Sequence, residues 1–152
     1  MASFQNTTLD TVLRDIATEK AGGLYKTPQV ATADLRSLCA KTGFQLLGNE
    51  KYQALHAEGK KLVDFIVVHY DSANKYAVVP FELVDMTNPK LYAAIVCYTQ
   101  GSVQDVLLLP MSALKSGMFA MTKKVGNELR VNIAKVKAQE KYSFGVAIKE
   151  LS

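Results

Sequence analysis

Between residues 60 and 110 the chain runs through four consecutive apolar segments, and this run limits the possible folds more than any other feature. The segments cover residues 61–70, 76–84, 91–98 and 104–110. Each is short, rich in β-branched and aromatic residues, and bounded by Asp, Asn, Ser, Gly or Pro, the composition of strands between turns. Asp71-Ser-Ala-Asn74 has turn chemistry and predicts a hairpin joining the first two. Pro80 lacks an amide donor, so the second strand is expected at a sheet edge or bulged there. Residues 121–133 have a further hairpin rhythm, with 125–128 at the turn and Leu129, Val131 and Ile133 on one face. Lys135 and Lys137 then enter the phase that had been apolar, which predicts a bulge, a bend or a loop near Ala134. Tyr142, Phe144, Val146 and Ile148 alternate again and read as a last strand.

Helical spacing dominates the N-terminal part. Leu9, Val12, Leu13, Ile16 and Ala17 make an amphipathic stripe over residues 8–22, with Gly22 and Gly23 as its stop. Residues 24–31, with Pro28, read as a connector. A second helix starts near Thr32, buries Leu35, Leu38 and Cys39, and stops at Gly43, before a short extended segment at 44–47. In the polar stretch 48–61, Asn49 can cap a short helix carrying Tyr52 and Leu55 that ends at Gly59. Residues 111–117 read as a helical turn. The expectation is a single α+β domain over residues 1–152, helices first, then a mixed and mostly antiparallel sheet. Its candidate core is Leu9, Val12, Leu13, Ile16, Leu35, Leu38, Phe65, Val67, Val78, Ile95, Leu107 and Leu109.

A chain of 152 residues is long enough to bury such a core. No apolar run approaches the ~20 residues of a membrane-spanning helix. The N-terminus has neither the basic nor the apolar region of a signal peptide, so a cytoplasmic protein is expected. Cys39 and Cys97 both sit in apolar patterns and read as buried free thiols rather than a disulfide. His56 and His69 share no metal-ligand spacing. The net charge of +4 is unevenly spread. Residues 111–152 carry eight basic side chains against Glu128, Glu140 and Glu150. That excess makes Lys123, Lys124, Arg130, Lys135 and Lys137 a candidate phosphate-facing surface, with a solvated lysine face as the alternative.

Signatures of common enzymes are missing: there is no Walker-type Gly-x4-Gly-Lys, no GxGxxG and no GxSxG. Neither cysteine has the polar surroundings of an activated nucleophile. What remains is a pair of carboxylates in the strand region, Asp64 in the first strand and Glu82 near the end of the second. A hairpin that brought them to neighbouring strand ends would offer two oxygen ligands to Mg²⁺ or Mn²⁺, which could activate water for phosphodiester cleavage. The structural alternative for Asp64 is an ion pair with Lys60 or Lys61. Tyr92, Tyr98, Tyr142 and Phe144 read as core or sheet-face residues, with base stacking as their alternative role.

A helix ending in Thr42-Gly-Phe-Gln-Leu-Leu47, then Val63-Asp-Phe-Ile-Val-Val68, a turn, a second strand, and a further strand leading into residues 105–115 form a recognisable order. Over residues 32–115 this resembles the restriction-endonuclease-like superfamily, whose metal site is written PD-(D/E)xK. In that family a helix precedes the strand with the Asp, and the next strand carries the (D/E)xK element. Here Val63 stands for the Pro, and the second element falls on Pro80-Phe81-Glu82 or on Glu82-Leu83-Val84. In either register the lysine that orients or activates water is missing, with Lys61 and Lys90 as possible substitutes. The resemblance therefore implies a nucleic-acid-associated protein with a degenerate, inactive nuclease-like site. Two other functions stay open. One is an accessory protein that binds another protein through a sheet edge or the C-terminal hairpin; the other is an active metal-dependent nuclease.

Overall fold

The computed structural model describes residues 27–48, 51–85, 87–115, 120–123 and 128–151. The helix expected over 8–22, with Leu9, Val12, Leu13 and Ile16, lies outside them, as does Lys124. Helix α1 (Thr27–Lys41) is followed by β1 (Gln45–Gly48), β2 (Gln53–Ala57), β3 (Lys60–Asp71) and β4 (Tyr76–Pro80). A 3-10 turn, Phe81–Leu83, leads through a loop to β5 (Leu91–Thr99) and β6 (Ser102–Pro110). Then come α2 (Met111–Lys115), β7 (Ala120–Lys123), β8 (Glu128–Asn132), α3 (Ile133–Lys137) and α4 (Phe144–Leu151). The architecture is α+β, a helix followed by mixed and mostly antiparallel strands, as expected.

The strands form two sheets. A five-stranded sheet runs β1-β2-β3-β5-β6, and a three-stranded sheet runs β4-β8-β7. Among the described residues only the β3–β5 pairing is parallel. The chain therefore crosses from β3 to β5 by way of β4, the 3-10 turn and the loop, the long connection that parallel neighbours require. The hairpin expected between residues 61–70 and 76–84 is not formed. Both sides of β3 are taken, by β2 and β5, so β4 leaves the sheet and pairs with β8 instead. Pro80 does end an edge strand, where its missing donor costs no ladder bond.

Alternation along β3 separates two cores. Val63 and Phe65 point to the layer of α1 and α4, where Val30, Ala31, Leu35, Cys39, Phe144 and Ile148 meet them. Ile66, Val68 and Tyr70 point to the second sheet, against Ala77, Val79, Leu129 and Val131. Of the expected core, Leu35, Phe65, Ile95, Leu107 and Leu109 are buried, and Leu38 and Val67 are half-buried. Val78 is 40% exposed, because Ala77 and Val79 take the inward phase of β4.

Three local expectations are corrected. Residues 53–57 are a strand, not a helix. Glu58 and Gly59 both have positive φ (55° and 78°) and close a two-residue hairpin between Ala57 and Lys60. That turn matches the right-handed twist of the strands, and Glu58 bears the strain that Gly59 avoids. Around Ala134 there is no bulge but helix α3, capped by Asn132 Oδ1 accepting from Lys135 N at 3.3 Å. Ile133 and Val136 are buried at helical spacing, which turns Lys135 and Lys137 outward. Residues 144–151 are helix α4 rather than a strand. Phe144, Ala147 and Ile148 form its buried stripe, and pairing with the edge of β6 goes no further than the bridge Leu107–Ser143. Helix α1 begins at Thr27, earlier than expected, with Pro28 in the first turn, where an amide donor has no acceptor within the helix. Its Arg36 ties the helix to the sheet, donating from Nε to Leu46 O (2.9 Å) and from Nη2 to Gln53 Oε1 (3.0 Å).

Candidate functional site

Asp64 is the one charged residue buried among the described residues, with 6% of its surface exposed. It stands in β3 between Ala54 of β2 and Leu91 of β5, and its amide donates to Lys90 O at 2.8 Å. Its Oδ2 meets Lys61 Nζ at 2.9 Å, the ion pair foreseen as the structural alternative. Its Oδ1 has no hydrogen-bond partner. Burying a carboxylate costs several kcal/mol unless both oxygens are compensated, and here only one is.

Near Asp64, the Tyr52 hydroxyl donates to Leu83 O at 3.0 Å. Burial, with Asp85 and Asp64 nearby, raises the Tyr52 pKa, so this phenol stays a donor at neutral pH. Asp85 is occupied with its own turn, accepting from Thr87 N (3.0 Å) and Thr87 Oγ1 (2.6 Å), which holds its carboxyl below the usual range. Lys90 is bound into the same loop, its amide donating to Asn88 Oδ1 at 2.9 Å. Glu82 is exposed on the 3-10 turn that follows β4, not on a strand beside Asp64. Among the described residues no three His, Cys, Asp or Glu side chains are grouped to hold a metal ion.

The other end of β3 is built from the opposite charge. Tyr70, Asp71, Asn74 and Lys75 follow the turn into Tyr76 and Val78 of β4, and Arg130 reaches over from β8. Together they line a cleft of about 360 Å³. Asp71 Oδ1 accepts from Ala73 N at 2.9 Å and Asn74 N donates to Asp71 O at 2.9 Å, so the turn is held by its own polar groups. The Tyr70 hydroxyl donates to Asn74 O and closes the inner wall. In the register of β4 and β8, Tyr76 lies opposite Asn132 and Val78 opposite Arg130. The Lys75 ammonium sits 5.5 Å from the centre of the Tyr76 ring, a cation–π contact.

His69, which also lines this cleft, stacks on Tyr98 (4.2 Å between ring centres, 14° between planes), and the Tyr98 hydroxyl donates to Asp34 Oδ2 at 2.5 Å. Burial pulls the His69 pKa down, against a smaller opposing pull from Asp71. Cys39 and Cys97 are buried free thiols pushed up to about 12 by burial, so neither is a nucleophile at neutral pH.

Of the expected basic surface, Arg130 enters the cleft, and Lys135 and Lys137 are exposed on α3. Lys123 ends β7, paired with Glu128. Sequence reasoning missed Lys75 and Tyr76, which belong to the balanced part of the chain. The available signal was a basic residue followed by an aromatic one where a turn becomes a strand. Comparison with known proteins finds no family model and no curated protein that matches this chain.

Proposed function

We propose that this protein associates with nucleic acid and keeps the frame of a restriction-endonuclease-like nuclease without its catalytic centre. The observation that carries the reading is Asp64, a buried carboxylate on the second strand of the β2–β3 hairpin and neutralised by Lys61. The family sets one carboxylate on a strand and its (D/E)xK element on the next. Asp64, with Val63 in place of the Pro, stands for the acid of the first element, and Glu82 lies on the 3-10 turn rather than on a strand paired with β3. Opposite Asp64 and Phe65, β2 offers Ala54 and Gln53, neither of them a carboxylate. One acid without a partner acid or a lysine in sequence cannot assemble a two-carboxylate metal site. The basic groups Lys75, Arg130, Lys135 and Lys137 supply attraction for phosphate independently of that centre.

The test is binding of labelled DNA and RNA across a salt series, followed by incubation with Mn²⁺ and with Asp64→Ala as control. Salt-dependent binding without cleavage is expected. Cleavage that disappears in Asp64→Ala would make the protein an active nuclease. Absence of binding at low salt would favour the second reading, a protein-interaction module. For that reading the supporting observation is Leu47, 45% exposed on the edge strand β1.

A further inference from the structure

We propose that the cleft at the end of β3 is a one-nucleotide subsite, so that this chain takes single-stranded rather than duplex nucleic acid. The inference rests on the nucleic-acid reading above and adds which form of the polymer is bound and where. Size is the first argument. A volume of about 360 Å³ lies near the lower end for small-molecule clefts, enough for one nucleotide, and the hollow is walled by the 71–75 turn.

Chemistry is the second argument. A nucleotide needs cations for its phosphate and a flat face for its base. Lys75 and Arg130 bring an ammonium and a guanidinium from two different elements into the same hollow, and Tyr76 brings the ring. Lys75 Nζ, at 5.5 Å from the ring centre, sets the phosphate and base positions within one nucleotide of each other. Val78, 40% exposed beside them, extends the apolar floor. A paired base offers only its edges to protein, whereas an unpaired base offers a face on which an aromatic side chain can stack. Asp71 is the one acid among the lining residues. Its Oδ1 is engaged by Ala73 N, which keeps the carboxylate on the turn rather than across the floor. The exposed lysines of α3, Lys135 and Lys137, offer a duplex charge without such a hollow.

The experiment uses the full chain and fluorescence anisotropy at ~50 mM salt. Its probes are a labelled single strand of about 12 nucleotides and the duplex of the same sequence, with adenosine monophosphate and inorganic phosphate as competitors. The single strand should bind at least ~10-fold tighter than the duplex. Tyr76→Leu should weaken single-strand binding roughly 5- to 100-fold and leave duplex binding nearly unchanged. Tyr76→Phe should behave as the parent, and thermal melting checks that each variant is folded. Lys75→Gln and Arg130→Gln should each lower the salt slope for the single strand by ~0.7. Equal or tighter duplex binding, or a Tyr76→Leu variant that binds single strand as the parent does, would overturn the subsite while leaving nucleic-acid association intact. Binding of the mononucleotide but of neither polymer would overturn both and mark a free-nucleotide site. No binding to any probe would also overturn both.

Discussion

At its start β3 holds a carboxylate in the interior against a single ammonium. At its end, about 20 Å away at ~3.3 Å per residue, it opens into a cleft where Lys75, Arg130 and Tyr76 meet. Asp64 and Tyr70 lie on the same face of this strand, since six residues separate them. The difference between the ends is what each charge faces. Asp64 is buried, and its Oδ2 is paired with the Lys61 ammonium at 2.9 Å. The cations of the cleft border a concave space of nucleotide size. The Asp64 carboxylate has its counter-ion beside it, whereas Lys75 and Arg130 bring positive charge to the lining of a hollow. On the proposed reading, binding and the Asp64 carboxylate are separated along one strand.

Both ends depend on β3 being held from both faces, so the largest expected effect comes from the sheet itself. Leu107→Ala should cost ~2–5 kcal/mol in chemical denaturation, and Val67→Ala, at a half-buried position, clearly less. Equal costs would mean that the two core layers are not divided as described. At the acidic end, Asp64→Leu should be neutral or stabilising by up to ~4 kcal/mol. Lys61 is 44% exposed and returns to water when its partner goes, and the new side chain meets Ala54 and Leu91. A clear loss of stability in that variant would make Asp64 a structural keystone and remove the contrast with the cleft.

In the lining of the cleft, His69 favours its neutral form when folded, so the unfolded chain binds more protons in acid. Its contribution to stability is complete above about 6.5, its ordinary pKa, and is lost as the pH falls through that value toward the lowered folded one. Thermal melts from pH 8 to 5 should decline through this window, and His69→Gln should decline less. The smallest effect concerns Cys39 and Cys97. At pH 8 an alkylating reagent should leave both unmodified in the native protein and modify both after unfolding, because burial pushes the thiols to about 12. Rapid native labelling of Cys97, whose lateral neighbour is Tyr70, would mean that the wall of the cleft opens.

The strands β3, β5 and β6 are legible in the sequence because each is a long apolar run that only a strand with neighbours on both faces would carry. Pro80 marks its edge for a similarly local reason. Lateral partners are another matter. A four-residue polar turn after Asp71 suits a hairpin, and nothing in residues 76–84 states that β2 and β5 have already taken both sides of β3. Strand β2 is hidden because Gln53-Ala-Leu-His-Ala57 is short and weakly patterned, and Gly59 serves a helix stop as well as a tight turn. Phe144, Val146 and Ile148 fit period two, while Phe144, Ala147, Ile148 and Leu151 fit a helix, so the choice belongs to the layer that receives them. Asp64 was legible as unusual, since a carboxylate in an apolar strand always needs a partner, and Lys61 three residues earlier was within reach. The cleft was not legible, because Lys75 and Arg130 are far apart in sequence and meet through the pairing of β4 with β8.

The separation of binding from the Asp64 centre is tested most directly by one titration. A labelled single strand is bound to the parent, to Asp64→Ala and to the double variant Lys75→Glu/Arg130→Glu at the same salt, with and without Mn²⁺. Unchanged affinity for Asp64→Ala, loss of more than ~10-fold for the double variant and no dependence on Mn²⁺ are the results expected. Affinity that falls in Asp64→Ala, rises with Mn²⁺ and ignores the double variant would contradict the account and return the function to the carboxylate.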